Sequence, residues 1–282
     1  MAYHSRVRLT RKRPRKALGQ HWLVDRRLLA RIAAAADFTD EDTVIEVGAG
    51  TGLLTELLAQ RARRLVAVEV DPNLVARLRE RFADRPQVSV VEADILAQPP
   101  EELLLRGGGR LPYVVVGNLP YFIGTATVRH FLQARAQPRW LVVTLQAEVA
   151  RSMAAGPGHM RYLGVETQLF AEARILFSLP PGAFRPPPKV RSAVLRLDVH
   201  EGSAVEVDDR DAFLDLVQAG FAAPRKRLRN SLAIGLRTGP AAAEAMLLAA
   251  GIDPTLRPAA LSLEDWRRLY RAYRRAAAAG PQ

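Results

Sequence analysis

Between residues 43 and 146 of this chain five short apolar runs alternate with helix-forming stretches, and that alternation constrains the fold more than any other feature. Thr43 to Gly50 (TVIEVGAG) is β-branched and ends in glycines, which reads as a buried strand and a turn. RLVAVEV follows as a second strand ending at Asp71-Pro72, VSVVEAD as a third, PYVVVGNLPY as a fourth and RWLVVTLQ as a fifth. Helix-forming residues occupy LLARIAAAADF before the first strand, then Leu53 to Arg61, NLVARLRERF, and the stretch around Thr125 to Gln133. Strands and helices of these lengths make βαβ units, so the expected class is α/β with a mostly parallel sheet. The strands are continuously apolar rather than alternating, as burial on both faces requires.

The pattern changes near residue 200, after the strand-like SAVLRLDV. DRDAFLDLVQAGFAAPRKRLRNSLAIGL, AAAEAMLLAAG and LEDWRRLYRAYRRAAAA all read as helices, with AAAAGPQ expected to fray. A chain of 282 residues has room for an α/β domain at 1–200 and a small helical domain at 201–282. No apolar run approaches the roughly 20 residues that span a bilayer. The basic N-terminus lacks the apolar segment of a secretory signal, although a transit peptide stays open. Cysteine is absent, so neither disulfides nor thiolate metal sites are available, and the expectation is a cytoplasmic protein without a metal. Nothing in the sequence requires more than a monomer. The formal charge of +12 favours a polyanionic partner. Its distribution says more than its total, because Arg11, Lys12, Arg13, Arg15 and Lys16 form one cluster and Arg225, Lys226, Arg227 and Arg229 another.

The first turn, Glu46-Val47-Gly48-Ala49-Gly50-Thr51-Gly52, lets the backbone approach a ligand where a Cβ would collide. Its G-x-G-x-G spacing differs from the G-x-G-x-x-G of pyrophosphate-binding dehydrogenases. Glu69, near the end of the second strand, can accept bonds from both hydroxyls of a ribose. Asp94, at the end of the third, can accept one from an adenine amino group. Each feature alone has a plain reading as a tight turn or a surface carboxylate. All three fall at the C-terminal strand edge, where open α/β sheets bind ligands. The constellation resembles the Rossmann-like class I S-adenosylmethionine-dependent methyltransferases.

Asn118-Leu119-Pro120-Tyr121 follows the fourth strand directly. It is similar to the Asn-(Leu/Ile/Pro)-Pro-Tyr signature of amino methyltransferases. The lone pair of an adenine amino group is delocalised into the ring, which makes the nitrogen a poor nucleophile. Acceptors at the Asn118 side-chain oxygen and at a carbonyl near Pro120 favour a more pyramidal nitrogen. Pro120 fixes φ and removes a competing donor, and Tyr121 offers a face on which the base can stack.

Leu18-Gly19-Gln20-His21-Trp22-Leu23, the glycine turn, NLPY, Ala183 to Val190 (AFRPPPKV) and Arg225 to Leu232 (RKRLRNSL) occur in the order of one family. The chain resembles the KsgA-type small-subunit rRNA adenine N6,N6-dimethyltransferases from about residue 15 to 275. The resemblance implies dimethylation of two adjacent adenosines near the 3′ end of small-subunit rRNA, with S-adenosylmethionine as cofactor. It also implies late assembly of an immature small subunit, with residues 201–282 holding RNA or the particle. His21 and Leu23 would flank the cofactor, and Gly48, Glu69, Asp94 and Asn118 would bind it. Asn118, Pro120 and Tyr121 would handle the target base, with Phe184 as a second stacking surface or, in its plain reading, a core aromatic. Many members have Gln-Asn-Phe-Leu where this chain has Gln20-His21-Trp22-Leu23, and a more polar Asn-Ile-Ser where NLPY is followed here by Phe122-Ile123-Gly124. The competing readings are an Erm-type large-subunit rRNA methyltransferase, a DNA adenine methyltransferase, and a non-catalytic RNA-binding assembly factor.

Overall fold

A computed structural model describes residues 21–202 and 204–278. The basic cluster at Arg11 to Lys16, the Leu18 to Gln20 part of the first motif and the last four residues lie outside them. The five expected strands form as β2 (Thr43–Val47), β3 (Leu65–Glu69), β4 (Val88–Glu92), β5 (Tyr113–Asn118) and β6 (Trp140–Gln146). They lie parallel in the order β4-β3-β2-β5-β6. The sheet continues through β9 (Ser192–Val199), antiparallel to β6, to β7 (Ala171–Leu179), antiparallel to β9. A separate ladder joins β1 (Trp22–Leu23) to β8 (Phe184–Arg185).

Helices α1 (Arg26–Ala35), α2 (Leu53–Leu58), α3 (Pro72–Arg81), α4 (Pro100–Arg106), α5 (Gly124–Leu132), α6 (Ala147–Met153) and α7 (Tyr162–Phe170) flank the sheet. Every residue of β2 and β3 is buried, as their unbroken apolar character requires. Successive residues of β5 face opposite layers. Val114 and Val116 join an apolar cluster with Ile32, Leu58 and Val142, whereas Tyr113 and Val115 join one with Phe131, Val143 and Leu169.

The C-terminal region contains α8 (Arg210–Gly220), α9 (Leu228–Gly235), α10 (Pro240–Ala249) and α11 (Leu263–Ala278). Its first segment, expected as one helix, is two helices joined at 221–227. Pro224 supplies no amide in this stretch, and the Ser231 hydroxyl holds the corner. It donates to the Gly220 carbonyl at 2.6 Å and accepts from the Ala223 amide at 2.9 Å. α11 continues through Ala278, so the chain remains helical where fraying was expected to begin. Trp266 of α11 is fully buried against Gly220 and Phe221. The apolar cluster containing Phe213, Leu232 and Trp266 also contains Leu169 and Phe170 of α7, so the terminal helices share a core with one face of the sheet.

Candidate active site

β2 is where the strand order reverses, since β3 and β4 lie on one side of it and β5 and β6 on the other. In open α/β sheets a crevice forms at such a point, beyond the carboxyl ends of the strands. Here a cleft of about 770 Å³, counting its open mouth, is lined by Gly48 and Gly50 after β2, Glu69 ending β3, Asp94 beyond β4 and Asn118 ending β5.

Gly48 has φ +72°, a conformation that favours glycine, and a Cβ on it would meet no atom within 4 Å. The space above this turn is therefore open cleft. Glu69 is nearly buried and organises the floor. Its Oε2 accepts the Gly50 amide at 2.9 Å, and its Oε1 accepts the amides of Val70 and Asp71 at 2.9 and 3.0 Å. The Asp94 carboxylate caps the Leu96 amide at 3.0 Å. Glu46, beneath the turn on β2, is 1% exposed, and its Oε2 meets no hydrogen-bond partner among the described residues. Burial pushes its carboxyl up to about 8, and the negative charge of Glu69 adds to the rise.

Asn118 stands at the edge of the same cleft. Its Nδ2 donates to the His21 carbonyl at 3.2 Å, which leaves Oδ1 free to accept from a ligand. The Pro120 carbonyl accepts the Ile123 amide at 3.1 Å and closes the turn around Tyr121 and Phe122. The Tyr121 hydroxyl meets Ser192 Oγ at 2.6 Å, and its ring lies 5.5 Å from the His21 ring. Burial raises the Tyr121 phenol above its ordinary range, so it is neutral at physiological pH. His21 Nδ1 lies 2.8 Å from the Pro186 carbonyl. Because a carbonyl can only accept, Nδ1 carries the proton in this contact and Nε2 is the nitrogen left for another partner.

The structure thus brings His21, Gly48, Glu69, Asp94, Asn118, Pro120 and Tyr121 to one cleft. The side chains of two expected site residues do not line this cleft. Leu23 is 4% exposed and Phe184 1%, both in the apolar cluster with Leu29 and Val116. They pair across the β1–β8 ladder, where successive side chains point to opposite faces. Trp22 therefore lines the cleft while Leu23 enters the core, and Phe184 takes its plain reading as a core aromatic. Their contribution is to fix His21 and Trp22 over the opening. Trp22, Val70 and Ile95 line the cleft without having been assigned to it. The Ser192 anchor gave no local signal, because it meets Tyr121 from 71 residues away. Among the described residues no cluster of three or more His, Asp or Glu can hold a metal ion, and no helix is long and apolar enough to cross a membrane.

Comparison with known proteins gives this geometry a lineage. The chain is 41% identical over 261 residues to ribosomal RNA small subunit methyltransferase A of Dehalococcoides mccartyi, covering 93% of this chain and 89% of the relative. It is 44% identical to the protein of the same name from Geobacter metallireducens, covering 92% and 95%. Among solved structures, the 23S rRNA methyltransferase ErmE superposes with a TM-score of 0.71 at 32% identity, covering 89% of this chain and 98% of that one. A dimethyladenosine transferase from Plasmodium falciparum superposes with a TM-score of 0.78 at 21% identity over 91% and 98%, which shows the same Rossmann-like fold with its helical C-terminal region. The family model described as ribosomal RNA adenine dimethylase matches residues 11–274, and this chain belongs to that family.

Proposed function

We propose that this protein is an S-adenosylmethionine-dependent rRNA adenine dimethyltransferase that acts on two adjacent adenosines near the 3′ end of small-subunit rRNA. The observation that carries this reading is the placement of Asn118-Leu119-Pro120-Tyr121 on the rim of the cleft that the Gly48 turn and Glu69 floor. S-adenosylmethionine supplies an electrophilic methyl on a sulfonium, and the cleft suits it. The open space at Gly48 admits the cofactor backbone, Glu69 Oε2, which accepts one amide where Oε1 accepts two, keeps a lone pair for a ribose hydroxyl, and Asp94 is available to an adenine amino group. His21, with its Nδ1 proton given to the Pro186 carbonyl, offers Nε2 as an acceptor to the ammonium at the methionine end.

The Asn118 Oδ1 and the remaining lone pair of the Pro120 carbonyl accept the two N–H bonds of the target amino group. This directs the nitrogen lone pair out of the ring plane. Tyr121, held by Ser192, stacks on the base and fixes its plane. Holding the amine in line with the methyl supplies most of the rate as positioning. No side chain is assigned as general base, since the methylated ammonium loses its proton readily to water.

Residues 1–200 carry this chemistry, and residues 201–282 hold the RNA or immature particle, with Arg225, Lys226 and Arg227 exposed on the α8–α9 corner. A cytoplasmic monomer without a metal suits that role. The likeness to ErmE makes a single large-subunit adenosine the alternative target, but the small-subunit relatives are the more similar, at 41 and 44% against 32%. Incubation with labelled S-adenosylmethionine and undermethylated 30S and 50S particles separates the two. Label on 30S is expected. Label confined to 50S overturns the small-subunit assignment, and label on neither favours a binding factor.

A further inference from the structure

The turn that presents the target base also carries an aromatic that the cleft does not use. Pro120, Tyr121 and Ile123 line the cleft, whereas Phe122 between them does not and is 63% exposed. It is the only exposed Phe, Tyr or Trp among the described residues. A ring left in water contributes nothing to the core, so packing does not account for it. The backbone beneath it is nevertheless fixed. The Ile123 amide bonds to the Pro120 carbonyl at 3.1 Å, and the Thr127 amide to the Ile123 carbonyl at 2.8 Å. On one side of Phe122 the Tyr121 hydroxyl is tied to Ser192, and Ser192 is preceded by the exposed Arg191. Lys189 is exposed two residues earlier, and neither cation forms a salt bridge among the described residues. Phe122 is thus an aromatic face on a rigid turn beside the cleft, and two exposed cations without salt bridges lie in the chain just before the residue that anchors Tyr121.

We propose that Phe122 is a stacking platform for the base next to the target adenosine, with Lys189 and Arg191 holding the phosphates on either side of it. This rests on the adenosine reading above. Drawing an adenine into the cleft breaks its stacking on the neighbouring base, which leaves that neighbour with a bare face. A flat ring just outside the cleft covers that face, and the cations neutralise the backbone that is bent to reach it. Where two adenosines are adjacent, the neighbour is itself a substrate. Phe122 then holds the second base close to the cleft while the first is methylated. Phe122 is a positioning residue and touches neither the methyl nor the amine.

The test measures KM and kcat on undermethylated 30S particles for the wild type and for Phe122→Ala, Phe122→Leu and Phe122→Tyr. Cofactor affinity and thermal midpoint are followed in parallel. Loss of one stacked base raises KM by about tenfold in Phe122→Ala, with kcat, cofactor affinity and midpoint little changed. Phe122→Tyr restores the wild-type KM and Phe122→Leu does not, because leucine retains the apolar surface but has no ring. Mapping then finds the two target adenosines methylated less evenly by Phe122→Ala than by the wild type. A wild-type KM in Phe122→Ala, or a Leu variant as good as Tyr, overturns the stacking role while leaving the proposed function intact. A wild type that places no label on small-subunit adenosines overturns both.

Discussion

At Asn118 a single amide divides its two polar atoms between structure and chemistry. Nδ2 is committed to the His21 carbonyl, so the first motif and the Asn118-to-Tyr121 loop are fastened together, while Oδ1 is left to accept from a ligand in the proposed function. Replacement by Ala removes a preorganised acceptor, and turnover is expected to fall by about 10²–10³-fold. Cofactor affinity, measured by calorimetry, falls less, since Gly48, Glu69 and Asp94 remain. A variant that methylates at the normal rate contradicts the role given to Asn118. Burial shifts Glu46 upward, opposite to the downward shift of a carboxylate held by a cation. The folded protein keeps its proton up to about pH 8, and the unfolded chain releases it near 4.5. Between those values the native state binds more protons, so this group's contribution to stability is full below pH 4.5 and is lost as pH rises through 8. Each unit of the difference corresponds to about 1.4 kcal/mol. Glu46→Gln cannot ionise, so thermal melts at pH 5 to 9 should show its stability gaining on the wild type as pH increases. Parallel curves would mean that Glu46 is not held protonated.

The corner between α8 and α9 depends on the absence of one side chain. A Cβ on Gly235 would collide with the backbone of Ala219, whereas one on Gly239 would meet nothing within 4 Å. Gly235→Ala is therefore expected to destabilise by about 1–3 kcal/mol, as overpacking does, and Gly239→Ala by the smaller cost of an alanine at the N-cap of α10, about 0.5–1 kcal/mol. Equal denaturant midpoints for the two variants would contradict this packing. The same corner shows where sequence reading stops. β2 to β6 were legible because each is a continuous apolar run, and the site was legible where it sits on their ends, as Gly48, Glu69, Asp94 and Asn118 do. The break between α8 and α9 was not, because apolar spacing continues from Phe213 through Leu232 and the corner is set by Ser231 reaching back to Gly220. β7 was missed because its middle residues are largely exposed and its pairing with β9 is a backbone matter. Leu23 and Phe184 were assigned to the site because their motifs are adjacent to it. Only the β1–β8 ladder, which joins segments 161 residues apart, shows that both face the core.

Across the whole molecule the net charge of +12 is unevenly committed. Much of the basic face of α11 is matched internally, with Arg271 bonded to Glu206 at 3.1 Å, Arg274 to Asp208 at 3.2 Å and Arg267 to Glu264. Arg225, Lys226 and Arg227 are exposed and form no salt bridge among the described residues. Alanine at all three should weaken rRNA binding and lower the slope of log affinity against log salt by about 0.7–0.9 for each phosphate no longer neutralised. Arg271→Ala should leave that slope unchanged, and equal slopes for the two variants would contradict this division of charge. The proposed function, in which a base is drawn from structured RNA, held at Asn118 and the particle is docked through the helical region, predicts selectivity in position as well as in chemistry. The most direct measurement is mass-spectrometric mapping of rRNA from undermethylated small-subunit particles after full turnover with the purified enzyme. The prediction is N6,N6-dimethyladenosine at two adjacent positions near the 3′ end. Methylation at any other nucleotide, or monomethyladenosine as the end product, would contradict it.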